Sequence, residues 1–403
     1  SFTQFYASTA VSAPSRASLM TGQHTGHTKI RGNKEIQPEG QEPLDPNVET
    51  LGHLFQQNGY VTGCFGKWGM GYPGSGGEAN KMGFDVFYGY NCQRQAHHYY
   101  PVHIYRNNKK IVLPGNENGE RKVYAQDLIQ EETLNFIRRN VNQPFFAFVP
   151  VVLPHAELVS PDDSIVQKYR ALIKDEKAYK GAPGSCGSTQ TPKADFASMV
   201  ARLDAYVGQI VEELRKNGIE KNTIIIFSSD NGPHAEGGNN PEFFNSNGSF
   251  RGLKRDLYEG GIRVPMIVSW PGKVQAGKVT NHISAQWDVM PTLKELTGSK
   301  ATFKTDGVSF AKTILGKKGQ NQHKYLYWEF HEMGGRVAVR TGDWKAVIYN
   351  YGKNPSATPE LYNLKTDPSE TQNVAAQYPR VIKRLKKMLQ NSRTDSKDFN
   401  FGR

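Results

Sequence analysis

Apolar positions along this chain fall into two alternating rhythms. Over Ala125–Arg139, Leu128, Ile129, Leu134 and Ile137 recur near helical spacing. From Asp195 onward, Phe196, Met199, Val200, Leu203, Val207, Ile210, Val211 and Leu214 follow at steps of three and four. Asn217-Gly218 is the stop signal expected for that second helix. Unbroken apolar runs stand between and after. Phe145–Pro154 and Thr223–Ser229 read as strands buried on both faces, and Val264–Trp270 as a short strand closed by Pro271-Gly272. Helices alternating with buried strands predict an α/β fold, a large mixed, mainly parallel sheet flanked by helices.

After about Gly298 the rhythm changes. Tyr325–Phe330, Arg336–Arg340 and Trp344–Tyr349 alternate apolar and polar residues between turns, which predicts a smaller antiparallel sheet. Arg380–Gln390 predicts a helix that packs on this sheet through Val381, Leu385, Met388 and Leu389 and leaves its Lys and Arg residues on a solvated face. The expected division is a large α/β domain over residues 1–315 and a C-terminal subdomain over 316–403. Gly71–Gly77, Gly115–Gly119 and Gly181–Gly187 read as loops, and no internal repeat is found.

Composition narrows the function classes. With 37% hydrophobic and 11% aromatic residues over 403 positions, the chain can build a substantial core. A mean hydropathy of -0.62, with no long apolar run, excludes a membrane span. Cys64, Cys92 and Cys186 are too scattered for a disulfide scaffold or a Cys-rich zinc site. The 50 Lys and Arg residues against 38 Asp and Glu give a net charge of +12, which calls for an anionic partner. These cations are spread along the chain with no nucleic-acid-binding motif, so an acidic small molecule or glycan remains the open class. The opening residues, SFTQFYASTAVS, read as the middle of a domain.

The densest chemistry lies in Val11–Gly22. Ser12 reads as an N-cap and Pro14 fits a first helical turn, while Arg16 projects from the same side four residues on. A hydroxyl and a guanidinium at a helix N-terminus suit an oxyanion; the same spacing also describes an ordinary capped helix with a surface arginine. Asp230-Asn231-Gly232, ending a predicted strand, is either a plain turn or a pair of oxygen ligands at the sheet edge where α/β folds bind.

Ser12–Gly22 (SAPSRASLMTG) resembles the sulfatase signature C/S-x-P-S-R-x-x-L-x-T-G. Further family landmarks are Gly59–Gly69 with Lys67, Leu153-Pro154-His155, Ser229–Gly232, Lys254 ahead of Tyr258–Pro265, Glu360–Leu364 and Asp367–Glu370. The chain is thereby identified as similar to formylglycine-dependent sulfatases of the alkaline-phosphatase-like superfamily, nearest in character to bacterial carbohydrate and aryl sulfatases. The resemblance implies sulfate-ester hydrolysis, with Ser12 matured to formylglycine as nucleophile and Asp230, Asn231 and position 12 on one divalent cation, Ca²⁺. It implies that Arg16, Lys67 and Lys254 neutralise sulfate oxygens and that His155 protonates the leaving group. A maturase, of the anaerobic radical type for a serine, and a periplasmic or secreted location follow from the same resemblance.

Two departures accompany it. The family carries an aspartate pair on a strand upstream of the signature. That stretch would precede Ser1, so half of the expected metal ligands fall outside this sequence. Gly69 stands where many relatives have histidine, leaving His24, His27, His97, His98 and His234 as candidates for its part. Two alternatives stay open: a phosphonate or phosphodiester hydrolase of the same superfamily, and a non-catalytic relative that binds sulfated glycan. The loop Gly89–Pro101 mixes aromatic, His and Arg side chains suited to a sugar ring, so Arg94, His97 and His98 are the expected substrate contacts. The expected partner is a sulfated saccharide of host glycan, and no nucleic acid is expected.

Overall fold

The computed structural model describes residues 1–182 and 186–401; of the loop expected over Gly181–Gly187, residues 183–185 lie outside the described residues. Two sheets make up the large part of the chain. One runs, from its outer edge inward, Lys109–Val112, His103–Arg106, Val86–Tyr90, Val61–Lys67 and Phe145–Phe148. Its inner three strands are parallel and its outer two antiparallel. The other runs Ser284–Ala285, Phe2–Tyr6, Arg263–Ser269 and Ile225–Ser228, with Arg263–Ser269 antiparallel to both of its neighbours. The fold is thus mixed, as the alternating rhythms predict.

The helices follow their sequence patterns closely. Ala125–Arg139 begins and ends where its periodicity does, and the longer helix spans Pro192–Lys216 with proline in its first turn and Asn217 at its C-cap. Their apolar stripes meet each other and the back of the Val61–Lys67 strand in a core holding Phe65, Ile129, Phe136, Met199 and Tyr206.

Two strands depart from expectation. Of the apolar run Phe145–Pro154 only Phe145–Phe148 pairs as a strand, and of Thr223–Ser229 only Ile225–Ser228. Neither is buried on both faces. Each is the edge of its own sheet, so their side chains are half-buried, and both line the same cavity. Pro144 and Asn222 line this cavity before the two strands begin. His155 and Asp230 line it beyond their ends, so both strands run toward the same polar mouth.

The C-terminal sheet is antiparallel, as expected, in the order Leu326–Phe330, Arg336–Thr341, Trp344–Tyr349 and Glu360–Asn363. The helix Pro379–Asn391 seats Leu385 and Leu389 on one face of it, against Val337, Val339 and Ile348. Each such leucine contributes about 1.5–3 kcal/mol of burial. The opposite face, with Trp328, Ala338 and Val347, shares a core with Tyr6, Val11 and Trp287. A wholly buried Lys345 also crosses that junction, 3.0 Å from Glu259 and 2.9 Å from Glu370. No helix among the described residues is long and apolar enough to cross a membrane.

Candidate active site

The helix Ser12–Thr21 begins differently from its expectation. Val11, extended, holds the cap position, and Ser12 is the first helical residue, its side chain turned away from the backbone. At the other end Gly22, at φ 67°, closes the helix in the left-handed conformation that glycine adopts without steric cost. Ser12 Oγ instead donates to Asp230 Oδ2 at 2.9 Å and accepts from Lys67 Nζ at 3.1 Å. Arg16, one turn along, donates to the same Asp230 oxygen at 2.9 Å and to the Lys67 carbonyl at 2.8 Å. The helix start, the end of the Val61–Lys67 strand and the residue after Ile225–Ser228 therefore converge on one hydroxyl.

Burial alone would raise the Asp230 carboxyl, but Arg16 and Lys67 beside it, with the Ser12 hydroxyl, hold it at about 2. Lys67 is fully enclosed. Burial, then the neighbouring Arg16, pushes its ammonium well below the usual lysine range. The Asn231 side-chain N–H donates to Gly232 O at 2.9 Å, while its Oδ1 is buried with no hydrogen-bond partner among the described residues. An ionised carboxylate, a serine oxygen and an orphaned amide oxygen form the donor set that a hard divalent cation takes, so the residues present fit such an ion.

A second group sits across the mouth. Lys254 Nζ lies 2.8 Å from His155 Nε2 and donates to Glu236 Oε2, also at 2.8 Å. Glu236 takes a second cation, Arg255, at 2.6 Å. Backbone bonds from Lys254 N–H to Pro233 O and from Arg255 N–H to Ala10 O hold this loop against the signature helix. Burial would raise Glu236; Lys254 and Arg255 bring it down to about 2. His155 donates from Nδ1 to the Ala156 carbonyl at 2.5 Å, which leaves the Nε2 lone pair facing Lys254. Burial, then Lys254, drives the imidazole well below its ordinary pKa, so the ring is neutral.

The residues singled out from sequence separate cleanly. Ser12, Arg16, Lys67, His155, Asp230 and Asn231 line one cavity, and Lys254 joins them through His155. His97 lies flat on the His155 ring, 4.2 Å between centroids. His98 is exposed, 3.8 Å from Glu157, and Arg94 is engaged by Glu35 at 2.7 Å and by the Pro38 carbonyl; neither lines the cavity. His234 is 5.6 Å from His155 but both its ring nitrogens are spent on backbone, with Pro154 O and the Glu236 N–H as partners. His24 and His27 form a separate cluster with Asp306, in which Gly26 N–H donates to His24 Nδ1 and His27 Nδ1 lies 2.8 Å from the carboxylate. That pattern leaves the His24 proton on the edge facing Asp306, an anchor between two loops rather than an open ligand set. Sequence reading missed Glu236 and Arg255. The only available signal was their nearness to Asp230 and Lys254.

Comparison with known proteins follows the same residues. A family model described as Sulfatase matches residues 1–299, and one described as N-sulphoglucosamine sulphohydrolase, C-terminal, matches residues 248–395. The chain is 29% identical to the uncharacterized sulfatase YdeN of Escherichia coli, a match covering 81% of this chain and 57% of YdeN. It is 27% identical to an N-acetylgalactosamine-6-O-sulfatase of Bacteroides thetaiotaomicron, over 98% of this chain and 86% of that protein. A crystal structure of Ps i-CgsB in complex with k-i-k-neocarrahexaose superposes with a TM-score of 0.79 at 26% identity, covering 100% of this chain and 85% of the other.

Proposed function

This chain belongs to the sulfatase family, hydrolases of sulfuric esters, and we propose that the ester it cleaves is carried on a sugar. The observation that carries the reading is the hydroxyl of Ser12 held among Lys67, Asp230 and Arg16, opposite the Lys254–His155 pair. Support for the sugar comes from the N-acetylgalactosamine-6-O-sulfatase relative and from the oligosaccharide complex of Ps i-CgsB. His98 and Arg94, on the loop that also carries His97, are the proposed contacts to the saccharide.

In the mechanism we propose, position 12 carries formylglycine, installed by a maturase, and its hydrate supplies a nucleophilic oxygen with a second hydroxyl for release of sulfate. Asp230 Oδ, Asn231 Oδ1 and position 12 would hold Ca²⁺, which supplies charge neutralisation at the sulfate. Arg16 and Lys67 orient the nucleophilic oxygen and bind sulfate oxygens, and their burial strengthens each of those contacts. Charge that develops on the leaving oxygen draws the proton shared between Lys254 Nζ and His155 Nε2. Glu236 and Arg255 keep Lys254 aimed at that shared position. We further propose residues 316–403 as a C-terminal subdomain and a periplasmic or secreted setting, where polymeric sulfated glycans are met.

Protein co-expressed with and without an anaerobic maturase tests the reading against N-acetylgalactosamine 6-sulfate, 4-nitrophenyl sulfate and 4-nitrophenyl phosphate. Sulfate release that depends on maturation, with the phosphate turned over far more slowly, is expected. Faster turnover of the phosphate would replace the reading with the phosphatase-like alternative.

A further inference from the structure

Three imidazoles pack together at the site. His155 has two neighbouring rings, His97 at 4.2 Å with an interplanar angle of 10° and His234 at 5.6 Å and 27°. The three differ in how they are held. His234 is bonded through both nitrogens, to Pro154 O and from Glu236 N–H. His155 is bonded at Nδ1 and faces Lys254 with Nε2. The ring nitrogens of His97 have no hydrogen-bond partner among the described residues, yet the ring is mostly buried. What His97 presents to His155 is therefore the face of its ring.

The backbone that carries His97 is itself pinned to the catalytic strand. Trp68 N–H donates to Tyr90 O and Gly69 N–H to Asn91 O, and Glu157 N–H donates to His97 O beside the His155 loop. The short helix Gln93–Ala96 between these anchors ends at His97. Segment 90–97 thus spans from Lys67 to His155 and sets one ring against the other. Lys67 and Lys254 surround the pair with positive charge, and Glu236 is the carboxylate opposite them.

We propose that His97 is a positioning residue for the reaction: its ring, stacked on His155, prevents rotation of the His155 imidazole and so keeps Nδ1 on the Ala156 carbonyl and Nε2 on Lys254. This deepens the sulfatase reading and rests on it for its kinetic consequence. Rotation of His155 about its ring axis would take Nε2 off the proton that the leaving oxygen draws, and a face-to-face neighbour at 4.2 Å sterically closes that rotation. A planar ring of any chemistry serves this role, which separates it from a sugar-binding role that needs the nitrogens.

The test uses the full chain with His97→Ala, His97→Asn and His97→Phe, each matured alike and assayed with 4-nitrophenyl sulfate and N-acetylgalactosamine 6-sulfate. General acid catalysis contributes about 10²–10⁴-fold, so partial misplacement of the acid is expected to lower kcat about ten- to a hundred-fold in the Ala and Asn variants. That loss should be full on N-acetylgalactosamine 6-sulfate, whose alkoxide needs the proton, and smaller on 4-nitrophenyl sulfate, whose nitrophenolate leaves without it, with KM little changed on both, and Phe should restore most of it. A second readout needs no turnover: in histidine-labelled, unmatured protein, the slowly exchanging Nδ1–H signal of His155 should persist in wild type and Phe and vanish in Ala and Asn. Persistence of that signal in His97→Ala, a Phe variant as slow as Ala, or a loss confined to KM for the sugar would each overturn the proposal. Absence of turnover by wild type, with the signal behaving as expected, would overturn the sulfatase reading alone.

Discussion

Glu236 offers a direct measurement of how the site's charges stabilise the fold. Its carboxylate lies 2.8 Å from Lys254 and 2.6 Å from Arg255, and these cations take it from the ordinary 4.5 of a glutamate to about 2. A depressed carboxyl contributes stability that is complete above the unfolded value and lost as pH falls through the folded one. At 1.36 kcal/mol per unit, the shift corresponds to about 3 kcal/mol at pH 7. The side chain is 24% exposed and glutamine retains an acceptor, so Glu236→Gln should cost about 2 kcal/mol at pH 7. Working the linkage with the same two values, about three-fifths of that contribution survives at pH 3.5, so the cost of the substitution should drop to about 1 kcal/mol there. Urea unfolding followed by tryptophan fluorescence, on unmatured protein at both pH values, measures the difference. An unchanged gap between wild type and variant from pH 7 to pH 3.5 would show that the carboxylate is not held by these cations in the folded state.

Four further outcomes follow from the same geometry. Ser12→Ala should abolish sulfate release, and mass spectrometry of the peptide spanning Ser12 should find a loss of two hydrogens only in wild type made with maturase. Asp230→Ala should remove both turnover and the rise in melting temperature on adding Ca²⁺ to the wild-type protein. Gly69→Ala should destabilise the fold by about 1–2 kcal/mol, read by urea unfolding, because its φ of 72° is strained for alanine, while the Gln93 amide that the new Cβ would meet can swing aside. Lys345→Met leaves Glu259 and Glu370 facing each other in the core, and should cost about 3–5 kcal/mol by the same assay.

Sequence reading recovers what local periodicity encodes and loses what only tertiary closure decides. The Ala125–Arg139 helix was legible to the residue because its apolar stripe answers one continuous surface, the back of the Val61–Lys67 strand. The run Phe145–Pro154 was misjudged in length and burial for the opposite reason. It is the edge of its sheet among the described residues, and pairing stops at Phe148 because Pro150 lacks the N–H that a ladder requires.

The site shows the same division. Ser12, Arg16, Lys67, His155, Asp230 and Lys254 could be picked out through short motifs, because each sits where an element starts or ends and the motif marks that junction. Glu236 could not. It belongs to a loop whose course is set by Arg255 N–H reaching Ala10 and Lys254 N–H reaching Pro233, bonds that no spacing announces. His97 was legible as part of an aromatic, basic loop and therefore read as a sugar contact; its flat packing on His155 depends on two loops, 90–97 and 153–157, closing on each other. Residues that touch the reacting atoms are constrained in type, and so leave a trace in the chain. Residues that hold those residues still are constrained mainly in shape, and their partners emerge only once the chain has closed.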